Sequence, residues 1–156
     1  MDITDVLMFE EGYRKKPYYC SEGYPTIGIG TKIGPKNASL VYYQFEGNEE
    51  SAKALLQQEL DEIIASICKF PWFQESNQDR RIILMSMAYQ MGVNGLLTFR
   101  NTLKYIAEKN YTKAAENMLA SKWAQQTPQR AKRHAQVMAG KSLKEVYGAY
   151  IHEPAK

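Results

Sequence analysis

From residue 52 to residue 67, Ala52, Leu55, Leu56, Leu60, Ile63, Ile64 and Ile67 recur at helical intervals, behind Asn48 as a cap and two acids in the first turn. The spacing predicts one amphipathic helix over about residues 48–68. At 1.5 Å per residue such a helix spans about 30 Å, enough to join two lobes. The chain is different in kind on its two sides. Before it, from Tyr18 to Ile33, short extended runs are broken by Ser21-Glu22-Gly23 and by Gly28 and Gly30, which predicts a hairpin or small meander. After about residue 70 every segment reads as helix. "RRIILMSMAYQMG" is apolar nearly all round, the mark of a central helix, with Gly92 as its stop. Segments 99–108 and 112–120 are amphipathic, and "TPQRAKRHAQVMAG" opens with Thr127 as cap and Pro128 at the first helical position, then closes at Gly140. Met85, Met87, Met91, Trp72 and Trp123 read as core packing. The expected class is α+β, mostly α.

Several function classes are disfavoured. The opening "MDITDVLMFEEGYRKK" has acids where a secretory signal carries bases, and its apolar run is far too short for a membrane span, so synthesis in the cytosol without a membrane anchor is expected. Cys20 and Cys68 have no CxxC or Cys/His spacing, so neither a metal site nor a disulfide is indicated; Cys68 reads as a small buried residue at a helix end. "GIG" lacks the spacing of a dinucleotide fingerprint and the Lys-Ser/Thr of a phosphate loop, so no nucleotide cofactor is expected. Residues 1–60 hold six Lys/Arg against nine Asp/Glu, and residues 61–156 hold fourteen against eight, nets of −3 and +6. A basic second part favours a polyanionic partner, although Arg130, Lys132 and Arg133 taken alone read as a solvated helix face. Aromatic and basic residues do not interleave, which argues against nucleic acid.

The chemistry concentrates at the front. Ile3, Val6 and Leu7 share one face of a short helix over 3–11, and Gly12 is placed to end it. Glu11 then falls at a helix C-terminus, where the macrodipole disfavours a carboxylate and pushes its pKa upward. Alternation along Thr26 to Gly30 sends Ile27 and Ile29 to one face and leaves Thr26 on the other, over the surface the glycines open. If the hairpin folds back over the helix end, Glu11, Cys20 and Thr26 line one cleft. An acid with a raised pKa can protonate a glycosidic leaving oxygen, while a group on the other sugar face attacks or positions a water.

Eight residues separate Glu11 from Cys20 and five separate Cys20 from Thr26. With "EGYRKKPYYCSEGYPTIGIG", "AYQMG" and "ENMLASKWAQQTPQRAKR" in that order, the chain resembles the T-even phage lysozymes, the endolysins of glycoside hydrolase family 24, over most of residues 1–140. The resemblance implies a lysozyme-like fold: a small N-terminal lobe of about residues 12–50 with a short antiparallel sheet, the interlobe helix, and a helical lobe of about 70–156 packed with helix 1–11. It implies hydrolysis of the β-1,4 bond between N-acetylmuramic acid and N-acetylglucosamine, with the peptidoglycan strand in a cleft between lobes and Glu11 as general acid. Sugar-contact positions fall on Lys32, Tyr89, Thr102 and Asn117. The arginine that pairs with the catalytic acid corresponds to Arg130, and Glu22 and Lys122 take positions that face each other across the cleft. A monomer made in the host bacterium's cytoplasm and released to the wall through a holin follows from the same resemblance.

The chain departs from the family at four of these places. Cys20 stands for an aspartate, Thr31 for a histidine, Lys32 for an apolar residue and Tyr89 for a phenylalanine, while the loop at 34–48 is shorter and residues 141–156 match poorly. An unperturbed thiol is only a few per cent ionised at pH 7, so Cys20 is either activated locally or mainly orients the water with Thr26. Direct thiolate attack would give retention in place of inversion; water positioning is preferred because Thr26 serves that purpose. Two rival readings stand beside the hydrolase: a non-catalytic peptidoglycan-binding descendant of the fold, and a muralytic part of a tail or toxin assembly, for which further domains would be expected.

Overall fold

The computed structural model describes residues 1–151; the last five residues of the poorly matching segment 141–156 lie outside the described part. The chain divides into two compact units, one formed by Thr4–Asp61 and the other by Met1–Ile3 with Glu62 onward. Most of the first helix, α1 (Ile3–Glu11), therefore belongs to the smaller unit. The fold is α+β and mostly helical, with one three-stranded antiparallel sheet.

In the small unit α1 is followed by β1 (Arg14–Tyr19), β2 (Pro25–Gly28) and β3 (Thr31–Lys32), hydrogen-bonded in that order. β1 begins at Arg14, four residues before the extended stretch the sequence pattern marks. Arg14, Lys15 and Lys16 are all exposed and carry no alternation of apolar and polar residues, so periodicity could not register them. A register shift between Arg14 and Tyr18 lets this outer part pair with Gly28. Past β3 the 34–48 loop contains a single 3₁₀ turn at Leu40–Tyr42, where the Ser39 hydroxyl accepts from the Val41 N–H.

The long helix α2 (Glu49–Ile67) starts where the cap predicts: the Asn48 carbonyl oxygen of the side chain accepts the Ser51 N–H at 2.9 Å. Its buried stripe is Ala52, Leu56, Leu60, Ile63 and Ile67, each such leucine contributing about 2 kcal/mol of burial. Leu55 and Ile64, expected on that stripe, are 40 % and 37 % exposed, because at 3.6 residues per turn they fall on its flanks. The same rotation turns Cys68 outward: it is exposed, not the buried residue the sequence suggested, since Ile67 takes the inward position. Gly28 of β2 lies against Ala52, where an added Cβ would come within 3.0 Å of the alanine methyl.

The helical unit comprises the end of α2, α3 (Pro71–Gln74), α4 (Gln78–Leu97), α5 (Arg100–Ala107), α6 (Tyr111–Leu119), α7 (Lys122–Gln126), α8 (Pro128–Ala139) and α9 (Leu143–Tyr147). α4 is buried from Ile82 to Ala88 and breaks at Gly92, after which helix resumes to Leu97. α8 packs on α4, α6, α7 and α9. Thr127 precedes α8 as expected, but its hydroxyl donates back to the Trp123 carbonyl at 3.1 Å and caps nothing. α9 is held by a reciprocal capping box between Ser142 and Glu145. No single helix among the described residues is long and apolar enough to cross a membrane.

Thr31 is buried opposite Ile27, and its hydroxyl has no hydrogen-bond partner among the described residues. An unmet buried hydroxyl costs about 1–3 kcal/mol, and valine has the same shape without it. Thr31→Val is therefore expected to raise the unfolding free energy by about 1 kcal/mol in urea titration, with an unchanged m-value.

Candidate active site

Glu11 is the last residue of α1, and the helix stops there because Gly12, at φ +73°, turns the chain while its N–H bonds the Met8 carbonyl at 3.0 Å. The Glu11 side chain rests on Gly30, after β2. A Cβ on Gly30 would lie 3.0 Å from Glu11 Oε2 and 3.1 Å from its Cβ, so the carboxyl occupies the space a side chain would need. Gly30 also has φ +69°, a conformation that any L side chain strains.

Cys20 follows β1 and opens the turn to β2. Its N–H donates to the Tyr24 carbonyl at 3.0 Å, and the Gly23 N–H donates back to the Cys20 carbonyl at 2.9 Å. The half-buried thiol loses solvation, which raises its pKa. That effect is outweighed by the Tyr24 and Glu22 N–H groups, the Thr26 hydroxyl and the charge of Lys32, and the thiol ends below its ordinary value. The turn thus offers an anion two backbone N–H donors.

Thr26 lies in the middle of the sheet, opposite Tyr18 of β1 and Lys32 of β3. It is 1 % exposed, more enclosed than the alternation of the sequence suggests, because neighbouring strands flank it on both sides. Its hydroxyl donates to the Tyr24 carbonyl at 2.7 Å, which leaves the oxygen's lone pairs as acceptors. A hydroxyl has one proton, so donating to a Cys20 thiolate means turning away from Tyr24.

Tyr18 ties the acid and the thiol together. Its pKa is raised first by burial, then by Glu11 and, more weakly, by Cys20, while Arg14 opposes them. The Arg14 guanidinium lies over the Tyr18 ring, 4.5 Å from its centroid. Glu11 and Cys20 therefore both act on one phenol. Glu22 is exposed on the turn beside Cys20, and Lys32 is exposed with its ammonium 4.3 Å from the Tyr24 ring centroid.

In the helical unit the buried Thr102 donates its hydroxyl to Asn117 Oδ1 at 2.7 Å, which sets the orientation of that amide. Asn117 and Lys122 line an open depression of about 660 Å³ with Phe99, Arg100, Asn101 and Trp123. Tyr89, half-buried on α4, is not part of its lining.

Arg130 is 7 % exposed, so it is no part of a solvated face. Its Nη2 donates to the Ser86 hydroxyl at 3.0 Å and to the Ser86 carbonyl at 3.2 Å. The Ser86 hydroxyl also meets His134 Nε2 at 2.8 Å, and His134 Nδ1 meets the Tyr147 hydroxyl at 3.0 Å. Burial first, then Arg130 and Arg133, hold His134 well below its ordinary pKa, so it is neutral. Sequence reasoning passed over Ser86, His134 and Tyr147. The spacing of His134 with Ala131, Ala135 and Met138, all buried, was the signal that could have found it.

The phage lysozyme family profile matches residues 9–140. Probable T4-type lysozyme 1 of Dictyostelium discoideum is 33 % identical over 152 residues, covering 84 % of this chain and 89 % of that protein. The pre-baseplate central spike protein Gp5 of Enterobacteria phage T4 is 32 % identical across the whole chain, which corresponds to 30 % of the spike protein. The endolysin of Salmonella phage P22 is 30 % identical over 122 residues, covering 76 % of this chain and 80 % of the endolysin. This chain belongs to the phage lysozyme family.

Two outcomes follow from the titrating groups. Replacing Glu11 with Gln is expected to lower the Tyr18 titration midpoint while leaving it above the ordinary tyrosine value, because burial is the larger cause; NMR of ring-labelled tyrosine across pH measures it. His134 is neutral in the folded chain, whereas the unfolded chain takes up a proton below about pH 6.5. Stability is therefore expected to be independent of this group above about pH 6.5 and to fall as pH drops below it, by at most about 1.4 kcal/mol per pH unit. Urea unfolding at successive pH values measures the slope, and His134→Phe is expected to remove its share of it.

Proposed function

We propose that the chain is a muramidase, an endolysin that hydrolyses the β-1,4 bond between N-acetylmuramic acid and N-acetylglucosamine in peptidoglycan. The observation that carries this reading is the pairing of Glu11 with the Cys20 turn around Tyr18: a positioned acid, and a second group poised to carry negative charge. Membership of the phage lysozyme family and likeness to an endolysin support it.

Glu11 gives its proton to the leaving glycosidic oxygen as the bond to the anomeric carbon breaks. A water on the opposite sugar face adds to that carbon. Cys20 as thiolate takes the proton that this water releases, and the Thr26 oxygen, whose own proton is engaged by Tyr24, accepts a hydrogen bond that orients the water. The Cys20 thiol releases that proton to solvent, solvent returns one to Glu11, and the products differ from the reactants by one water. The configuration at the anomeric carbon inverts. Lys32, Tyr89, Thr102 and Asn117 supply sugar contacts, with Arg130, Glu22 and Lys122 in supporting roles. The chain acts as a monomer without a cofactor, made in the host bacterial cytoplasm and released to the wall with a holin. Its basic second part suits an anionic wall polymer.

Turbidity clearing of purified peptidoglycan, with mass spectrometry of the products, tests the reading. The native chain is expected to release muropeptides with new reducing muramic acid ends, and Glu11→Gln to lose about 10²-fold or more in rate. Cys20→Asp is expected to stay within about tenfold of the native rate and Cys20→Ala to lose about 10²-fold. A folded chain that pellets with the wall and releases no product would make it a binding protein instead.

A further inference from the structure

Lys32 occupies a sugar-contact position, yet it is a lysine where the family carries an apolar side chain, and its surroundings give it other work. Directly opposed residues in antiparallel strands project to the same face of the sheet. Tyr18 faces Thr26 across β1 and β2, and Thr26 faces Lys32 across β2 and β3, so the three form one row. The Lys32 ammonium lies 4.3 Å from the centroid of the Tyr24 ring. Tyr24 is also the hub of the Cys20 turn, for its carbonyl accepts both the Cys20 N–H and the Thr26 hydroxyl. One residue thus seats the ammonium and shapes the turn that presents the sulfur.

We propose that Lys32 is a positioning residue for Cys20: its ammonium, seated on the Tyr24 ring and in one row with Thr26 and Tyr18, favours the Cys20 thiolate over the thiol. The inference rests on the reading of Cys20 as the proton acceptor. On ionisation the thiol proton leaves to solvent, and nothing is oxidised or reduced. The groups acting on the sulfur or its neighbour are Tyr18 from β1, Glu22 and Tyr24 from the turn, Thr26 from β2 and Lys32 from β3, with Glu11 and Arg14 acting on Tyr18. Burial opposes a negative charge there. The Tyr24 and Glu22 backbone N–H groups favour it most, then the Thr26 hydroxyl when it turns from Tyr24, and Lys32 adds the one full positive charge, the part a substitution can remove without disturbing the turn. The ring holds the ammonium without neutralising it, which a carboxylate partner would do.

The test uses the full chain with Cys68 replaced by Ser, so that only Cys20 reacts with iodoacetamide. Lys32 is exposed, and its truncation leaves the core intact. In Lys32→Met the pH midpoint of Cys20 alkylation is expected to rise by about half to one unit, and in Lys32→Arg to stay within about 0.3 unit of the parent. The acid limb of kcat/KM for peptidoglycan clearing is expected to move with the alkylation midpoint, lowering activity severalfold at pH 7 and recovering it at alkaline pH. In a Cys20→Asp background the same lysine change is expected to leave that limb in place, because a carboxylate is ionised without help. An alkylation midpoint unmoved in Lys32→Met overturns the proposal. So does a rise in KM with an unchanged pH profile, which marks a sugar contact alone. Alkylation is read without substrate, so it decides the role of Lys32 even if the chain proves not to cut the wall.

Discussion

The Glu11 carboxyl lies on bare backbone at Gly30, and the layout of the small unit depends on that contact. A side chain at residue 30 would displace the acid, and a residue other than glycine would resist the positive φ that brings the chain there. The helix must end at Glu11 for the carboxyl to arrive, which Gly12 ensures, and β3 must follow Gly30 at once to close the sheet. Once β2 and β3 are fixed, Thr26 is enclosed between Tyr18 and Lys32, and the turn at Cys20 is tied to Tyr24. The acid, the thiol and the hydroxyl are therefore set by backbone geometry more than by packing of their own side chains.

The helical unit uses the opposite strategy. Its buried polar groups hold one another: Arg130, Ser86, His134 and Tyr147 form a continuous hydrogen-bonded chain inside a core of Ala131, Ala135, Met87 and Met138. A buried guanidinium is costly unless its donors are met, and the Ser86 hydroxyl and carbonyl meet two of these demands. The histidine serves as a neutral acceptor or donor, so the cluster holds its cation without a second positive charge. Such a cluster fixes the arginine's direction. Thr102 does the same for Asn117 with a single bond, on the edge of an open depression lined with amide and cationic side chains.

Much of this was legible in the residue pattern. The long helix, its Asn48 cap, the end of α1 at Gly12 and the start of α8 at Pro128 are local events, decided by capping, glycine and proline within a few positions. The Ser142–Glu145 capping box was equally readable in a segment that matches the family poorly. What pattern could not show was rank within an apolar face. Leu55, Ile64 and Cys68 carry the right chemistry for the core and lie outside it, whereas Arg130 and His134 carry the wrong chemistry and lie inside. The three exposed bases at the start of β1 gave no periodic signal, since pairing to Gly28 rather than burial makes them a strand.

The sequence alone determined the order of elements, the α+β class and the spacing of Glu11, Cys20 and Thr26, because these depend on short-range preferences and on which residues are present. The tertiary structure decided the state of each group. Cys20 is drawn toward its anion by the Tyr24 and Glu22 N–H groups, the Thr26 hydroxyl and the charge of Lys32, which act on it together only when the turn and all three strands are in register. His134 is kept neutral by burial beside two arginines, and Tyr18 feels Glu11 and Cys20 together. Charge and desolvation act through space and fall off with distance, so the proton affinity of a side chain belongs to the folded neighbourhood and cannot be read along the chain.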